Sequence, residues 1–236
     1  MPDTNDPVVI DYFSDMLCIW AFIHHRRIEE LARKFGAGIE IRSRYCSVFS
    51  DTGEKIGTGW GDRGGYEGYA NHVAKVASGF PHIGVNPVAW RDTRPASSAP
   101  VHQVLKALDI LEADEAGEAA AKIPYLDRLG TRAAWALRVA FFAEGRDIAD
   151  PSVQGDIMQE LGVEPARVFD PALLARAAAA LAQDFDLSRK LGVEGSPSMI
   201  LNSGRQRLFG NVGYRVMEAN VEELIHRPSA EEVSWC

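Results

Sequence analysis

A chain of 236 residues, 46% hydrophobic and 25% charged, is long enough to bury a full core and is most economically one domain carrying an insertion. Its net charge of -8 argues against a phosphate-binding surface, because nucleic-acid binders concentrate Lys and Arg to displace counterions; no nucleic-acid partner is expected. The opening Met1-Pro2-Asp3-Thr4-Asn5-Asp6 lacks the basic start and apolar core of a secretory signal, and no apolar run approaches the roughly 20 residues of a membrane span, so a cytoplasmic protein without a membrane partner is expected.

Val8 to Phe13 is a short β-branched and aromatic run that predicts a buried strand interrupted by Asp11. From Ile19 to Phe35 apolar residues recur at helical spacing (Phe22, Ile23, Ile28, Leu31, Ala32, Phe35), with Gly36 as the stop. Ile39 to Ser47 alternates as a second strand with Cys46 on it or at its end, and a strand-helix-strand unit puts the two strands parallel. Ser50 to Gly68, rich in Gly, Asp and Thr, reads as a long loop anchored by Trp60 and Tyr66. A helical, alanine-rich block follows: Tyr69 to Ala77, Ser98 to Leu111, Leu126 to Ala143, Ser152 to Leu161, and Pro171 to Lys190 with Asp170 as N-cap. Met199 to Asn202 and Gln206 to Phe209 form a hairpin across Ser203-Gly204-Arg205, and a last helix runs from Tyr214 to His226. The order predicts an α/β chain in which residues 7–50 and 190–227 build one sheet and a helical insertion occupies about 66–190.

Three cysteines, Cys18, Cys46 and Cys236, are too few for a disulfide framework, and an odd count leaves at least one thiol free within the chain. Cys18 falls at the predicted N-terminus of the first helix. Unpaired N–H groups and the positive end of the helix dipole stabilise an anion there, which predicts a lowered thiol pKa and a nucleophile. The bland alternative is a small buried apolar residue. His25 is separated from Cys18 by seven helical residues, about 10 Å of rise, which argues against a direct Cys-His dyad. No Cys or His cluster has metal-ligand spacing, so no metal site is expected.

The stretch Ile10-Asp11-Tyr12-Phe13-Ser14-Asp15-Met16-Leu17-Cys18-Ile19-Trp20-Ala21, with Gly192-Val193-Glu194-Gly195-Ser196-Pro197-Ser198 and Leu208-Phe209-Gly210-Asn211, resembles the DsbA-like branch of the thioredoxin superfamily. That branch includes FrnE-type oxidoreductases, 2-hydroxychromene-2-carboxylate isomerases and kappa-class glutathione transferases. The resemblance implies a thioredoxin-like fold with a helical insertion and a Cys-x-x-Cys site reduced to Cys18-Ile19-Trp20-Ala21. A lone thiol stops at a mixed disulfide until another thiol releases it.

The resemblance further implies that Cys18 is catalytic and that Trp20, Ser196, Pro197 and Asn211 bind substrate, with a cis bond before Pro197 exposing the backbone of Ser196. Glutathione is implied as a cosubstrate, with no tightly bound cofactor. Trp20 reads as a lid over the sulfur or as core packing, and Asn211 as a contact for the γ-glutamyl end of glutathione or as a helix cap. Asp11 reads as a buried proton relay or as a solvated edge residue, and His102 as a cleft residue or as surface and packing. Cys236 or Cys46 would serve as a substitute resolving thiol only within disulfide reach.

The function implied is thiol-disulfide exchange on a disulfide or glutathionylated substrate. The alternatives are a glutathione-dependent isomerase or transferase of a small aromatic compound, its pocket lined by Trp60, Tyr66 and Trp90, and a non-catalytic binding module. A homodimer stands as an open alternative to a monomer.

Overall fold

The structure is a computed structural model, described here for residues 6–226. Four strands, β1 (Val8–Ser14), β2 (Ile39–Tyr45), β3 (Ser198–Leu201) and β4 (Gln206–Phe209), form one sheet in the order β2-β1-β3-β4. β1 and β2 are parallel across α1 (Ile19–Phe35), while β3 runs antiparallel to β1 and to β4. Between β2 and β3 lie α2 (Gly65–Ala77), α3 (Ala99–Ala116), α4 (Leu129–Phe142), α5 (Pro151–Glu160), α6 (Pro165–Val168) and α7 (Pro171–Lys190), and α8 (Tyr214–His226) closes the described chain. Ser50 to Gly68 departs from the expected loop. It holds a π-helical turn at Gly53–Thr58 and a 3₁₀ turn at Gly61–Arg63, packed through buried Ile56 and half-buried Trp60.

The alternation of β1 sorts its side chains between two cores. Val8, Ile10 and Tyr12 pack with Ile28, Leu31, Met217, Val221 and Leu224 of α1 and α8, while Phe13 joins Cys46, Ile200 and Leu187 on the α7 side. Each such buried aliphatic or aromatic side chain contributes on the order of 1.5–3 kcal/mol. A third, larger cluster joins the first turns of α1 to the inserted helices. At the C-terminal end of α1, Arg33 and Lys34 oppose the helix dipole, and Gly36 turns the chain at φ 49° with its N–H on Ala32 O.

β2 is an edge strand, and an edge leaves backbone groups unpaired. Here alternate residues are satisfied by side chains: Arg128 Nη1 donates to Ile41 O (3.1 Å), Lys106 Nζ to Ser43 O (3.2 Å), and Tyr45 N–H to Asp184 Oδ2 (3.1 Å). The edge is closed by charged side chains from α3, α7 and the segment before α4.

Candidate functional site

Cys18 is the N-cap of α1, with extended backbone (φ -87°, ψ 117°) and no side-chain capping bond of its own. Its thiol donates to Ser196 O at 3.2 Å, and the next peptide bond, Ser196-Pro197, is cis. The fold thus brings together residues 178 positions apart, because β1 delivers the start of α1 and its neighbour β3 begins directly after Pro197. Ala21, one turn on, is wholly buried and carries no second thiol.

The expected lowering of the thiol pKa does not appear. Only 6% of Cys18 is exposed, and burial pushes the thiol up, with the Asp15 carboxylate adding to the effect. Ser196 and the Ala21 and Trp20 backbone N–H groups of the first helical turn pull the other way without winning. Helix position alone predicted the anion; desolvation, invisible in the sequence, reverses the sign. Burial therefore favours the thiol over the thiolate at this sulfur.

Asp15, to which the sequence assigned no role, organises the surroundings. Its fully buried carboxylate accepts from Leu17 N–H (3.0 Å), Phe49 N–H (2.9 Å) and the Ser98 hydroxyl (2.8 Å). Its own N–H donates to Ser196 Oγ (2.8 Å), and its carbonyl accepts from Cys18 N–H (3.2 Å). One residue therefore ties the helix start, the loop after β2, the start of α3 and the Pro197 turn together. An acid three residues before a helix-capping cysteine was the only available signal.

His102 takes the packing role and lies neither at the surface nor in a cleft. It is wholly buried, stacked on Tyr45 at 4.8 Å, and its Nε2 accepts the Met16 N–H at 3.1 Å, which places the proton on Nδ1. Burial lowers its pKa to about 4, so it stays neutral 3.8 Å from Asp15. Asp11 is neither relay nor solvated edge residue. Its carboxylate accepts from Arg44 Nε (2.9 Å), whose Nη1 reaches Asp184 (3.1 Å), within an ion network on the α7 face. His25 is held neutral by burial and by Arg138, whose Nη1 lies 3.0 Å from His25 Nδ1.

The remaining expected residues divide. Trp20 is half-buried, packs against the cluster that contains Cys18 and meets Phe80 edge-on at 6.2 Å. Ser196 contributes its carbonyl to Cys18, while its hydroxyl oxygen accepts the Asp15 N–H and its side chain also acts on the sulfur, in the direction that favours thiolate. Asn211 caps no helix, since α8 begins at Tyr214; its Oδ1 accepts from Arg27 Nη1 at 2.7 Å. Arg27 was missed, although it shares a face of α1 with Trp20. Cys46 lies buried in a different apolar cluster, with its thiol pushed up by burial. Cys236 lies outside the described residues.

Trp90 is fully buried against Phe49, Tyr69 and Phe141, which corrects its expected place in an apolar pocket. Two cavities of about 700 and 300 Å³ open on the β2 side, lined by neither Cys18 nor Pro197. Among the described residues no group of His, Cys, Asp and Glu could hold a metal ion, and no helix is long and apolar enough to cross a membrane.

The sequence profile of the DSBA-like thioredoxin domain matches residues 103–222, just over half the chain and beyond Cys18. No curated protein sequence matches the chain. Among solved structures it is similar to a proposed protein disulfide isomerase from Nitrosomonas europaea, with TM-score 0.72 and 14% identity over 94% of this chain and 100% of that one. It is also similar to the cytosolic disulfide reductase DsbM from Pseudomonas aeruginosa, with TM-score 0.61 and 20% identity over 92% and 99%; that protein has also been solved with GSH. A third is 2-hydroxychromene-2-carboxylate isomerase, with TM-score 0.57 and 16% identity over 93% and 97%. At these identities the likeness is one of fold. With its four-stranded sheet and inserted helices, the chain belongs to the DSBA-like thioredoxin domain family.

Proposed function

We propose that the protein is a thiol-disulfide oxidoreductase that works through the single thiol of Cys18 and a mixed disulfide, with glutathione as the resolving thiol. The observation that carries this reading is the 3.2 Å approach of Cys18 Sγ to Ser196 O beside the cis Ser196-Pro197 bond. An extended disulfide substrate laid against that backbone would bring its sulfur to the capping cysteine, as in strand addition.

The chemistry balances without a bound cofactor. The Cys18 thiolate attacks one substrate sulfur, the S–S bond breaks, and the leaving thiolate departs with the electron pair and takes up a proton. A second thiolate, glutathione, then attacks the Cys18 mixed disulfide, releases Cys18 as thiolate and leaves as a new disulfide. Because burial favours the protonated thiol, thiolate is scarce at neutral pH but intrinsically a strong nucleophile. With Ala21 in place of a second cysteine and Cys46 packed in a separate cluster, the route favours reduction or isomerisation with an external thiol. Those reactions suit a cytoplasmic setting, where glutathione keeps thiols reduced.

The isomerase reading is less favoured. Trp90, which it needs as pocket lining, is part of the core. The deciding experiment is mass spectrometry of protein equilibrated with oxidised glutathione. One glutathione on Cys18, absent in Cys18→Ser, is expected. An unmodified Cys18, an internal disulfide in its place, or hydroxychromene carboxylate turnover retained by Cys18→Ser overturns the reading.

A further inference from the structure

A closed circuit of contacts links the thiol to a cation. Cys18 touches Ser196 O, Gly210 N–H donates to Pro197 O (2.9 Å), and the following Asn211 and Val212 accept from Arg27 Nη1 at 2.7 and 2.8 Å through Oδ1 and the carbonyl. The Arg27 guanidinium lies 5.8 Å from the ring of Phe80, and Phe80 returns the circuit to Trp20, two residues from Cys18.

The other cations of α1 are matched differently. Arg26 pairs with Glu29, Arg33 with Glu29 and Glu30, and Lys34 with Glu218 and Glu222. Among the described residues Arg27 pairs with no carboxylate, although partial burial already strips some of its water and pulls its pKa down. Both neutral acceptors take the same nitrogen, Nη1. Nε and Nη2, the edge of the guanidinium fork that matches a carboxylate, have no hydrogen bond among the described residues. Val212 supplies only a backbone oxygen, so the described partners of Arg27 are neutral.

Resting on the thiol-disulfide reading of Cys18, we infer that Arg27 is the carboxylate-recognition residue of this site and selects small peptide thiols and disulfides whose carboxylate lies one residue beyond the cysteine that carries the sulfur. Nine helical residues from Cys18 to Arg27 amount to about 13 Å of rise, and an arginine side chain leans back toward the helix N-terminus. In a tripeptide thiol the sulfur sits on the central residue, so a terminal carboxylate lies about 7 Å from that residue's backbone, and the arginine's backward lean closes the remaining gap, whereas the carboxylate of free cysteine sits too close to its sulfur.

The test separates recognition from redox chemistry. S-methylglutathione has no free thiol and forms no disulfide, so its binding reads the subsite alone. Arg27→Met should weaken that binding about tenfold or more, Arg27→Lys should recover part of it, and the Arg27 Nε–H resonance of the wild type should shift on titration. The rate of Cys18 adduct formation should fall by a similar factor with oxidised glutathione and stay within about twofold with neutral hydroxyethyl disulfide.

Absence of S-methylglutathione binding in the wild type overturns the inference. So does an equal loss with the neutral disulfide, which would make Arg27 a brace for residues 210–213. Binding through Arg27 without any Cys18 adduct would uphold the inference and sink the oxidoreductase reading instead.

Discussion

Two carboxylates, Asp15 and Asp184, are each fully buried, and the fold treats them in opposite ways. Asp184 is met by Lys106 Nζ at 2.7 Å, Arg44 Nη1 at 3.1 Å and the Tyr45 N–H, so its charge is neutralised where α7 closes the β2 edge. Asp15 is met by two backbone N–H groups and one hydroxyl, with His102 held neutral nearby. Burying an ion costs several kcal/mol, and a cation or a set of dipoles can each offset that cost. Only the dipoles leave net negative charge in place. The structure cancels charge where it merely joins elements and keeps it beside the sulfur, where it helps to hold Cys18 protonated.

Removing each acid in turn tests this contrast most severely. Asp184→Ala strands Lys106 near the core and leaves Arg44 with Asp11 alone, and urea denaturation should show a loss of about 3–5 kcal/mol. Alkylation of Cys18 in the folded fraction should stay at the wild-type rate; a changed rate would mean that the two acids are not functionally separate.

Acid should act next, and partly through the Asp15 side. The pKa of His24, lowered to about 3, and that of His102, lowered to about 4, both lie below the ordinary histidine value because burial disfavours the charged form. The unfolded chain therefore binds protons first as pH falls. The stability these residues contribute is complete above about pH 6.5 and drains away below it, by about 2 kcal/mol for each by pH 5. Asp109, pushed up to about 6 by burial, works in the opposite direction over that window and offsets part of the loss. The urea midpoint should be lower at pH 5 than at pH 7.5. An unchanged or higher midpoint would show that these histidines are not buried neutral.

Asp15→Asn removes the charge while keeping a carbonyl acceptor. It should cost about 1–3 kcal/mol, because its amide group turns a donor toward a donor. The Cys18 thiol pKa should fall, and the iodoacetamide rate at pH 8 should rise severalfold. In the wild type the same rate should keep climbing beyond about pH 8.5, the ordinary cysteine value; a plateau in the acid range would contradict the raised thiol. The smallest effect belongs to the exposed pair Arg42-Glu40, at 2.8 Å. Glu40→Gln should change stability by less than about 1 kcal/mol, which separates buried charge from surface charge in one protein.

The elements were largely legible. Apolar spacing located α1, and Asp170 was readable as the cap of α7, where it accepts from Leu173 N–H at 2.9 Å. The stretch from Ser50 to Gly68 is not legible as helical turns, because its glycines and charges suggest a loop while the turns depend on packing Ile56 and Trp60 against the rest of the molecule. At the site, Cys18, Ser196 and Pro197 could be named from their motifs. Asp15, Arg27 and the true surroundings of Asp11, His102 and Asn211 could not, because each depends on a partner dozens to nearly two hundred residues away.

Local patterning by itself determined which segments become helix or strand, that one cysteine caps the first helix, and that its usual companion is replaced by Ala21. Periodicity and capping act within a few residues, so they survive in a string of letters. Tertiary structure alone decided the direction of that cysteine's pKa shift, the neutral state of His102, the split between Asp184 met by cations and Asp15 met by dipoles, and the placing of Arg27 against Asn211. Those outcomes depend on how much water is excluded and which distant dipoles or charges replace it.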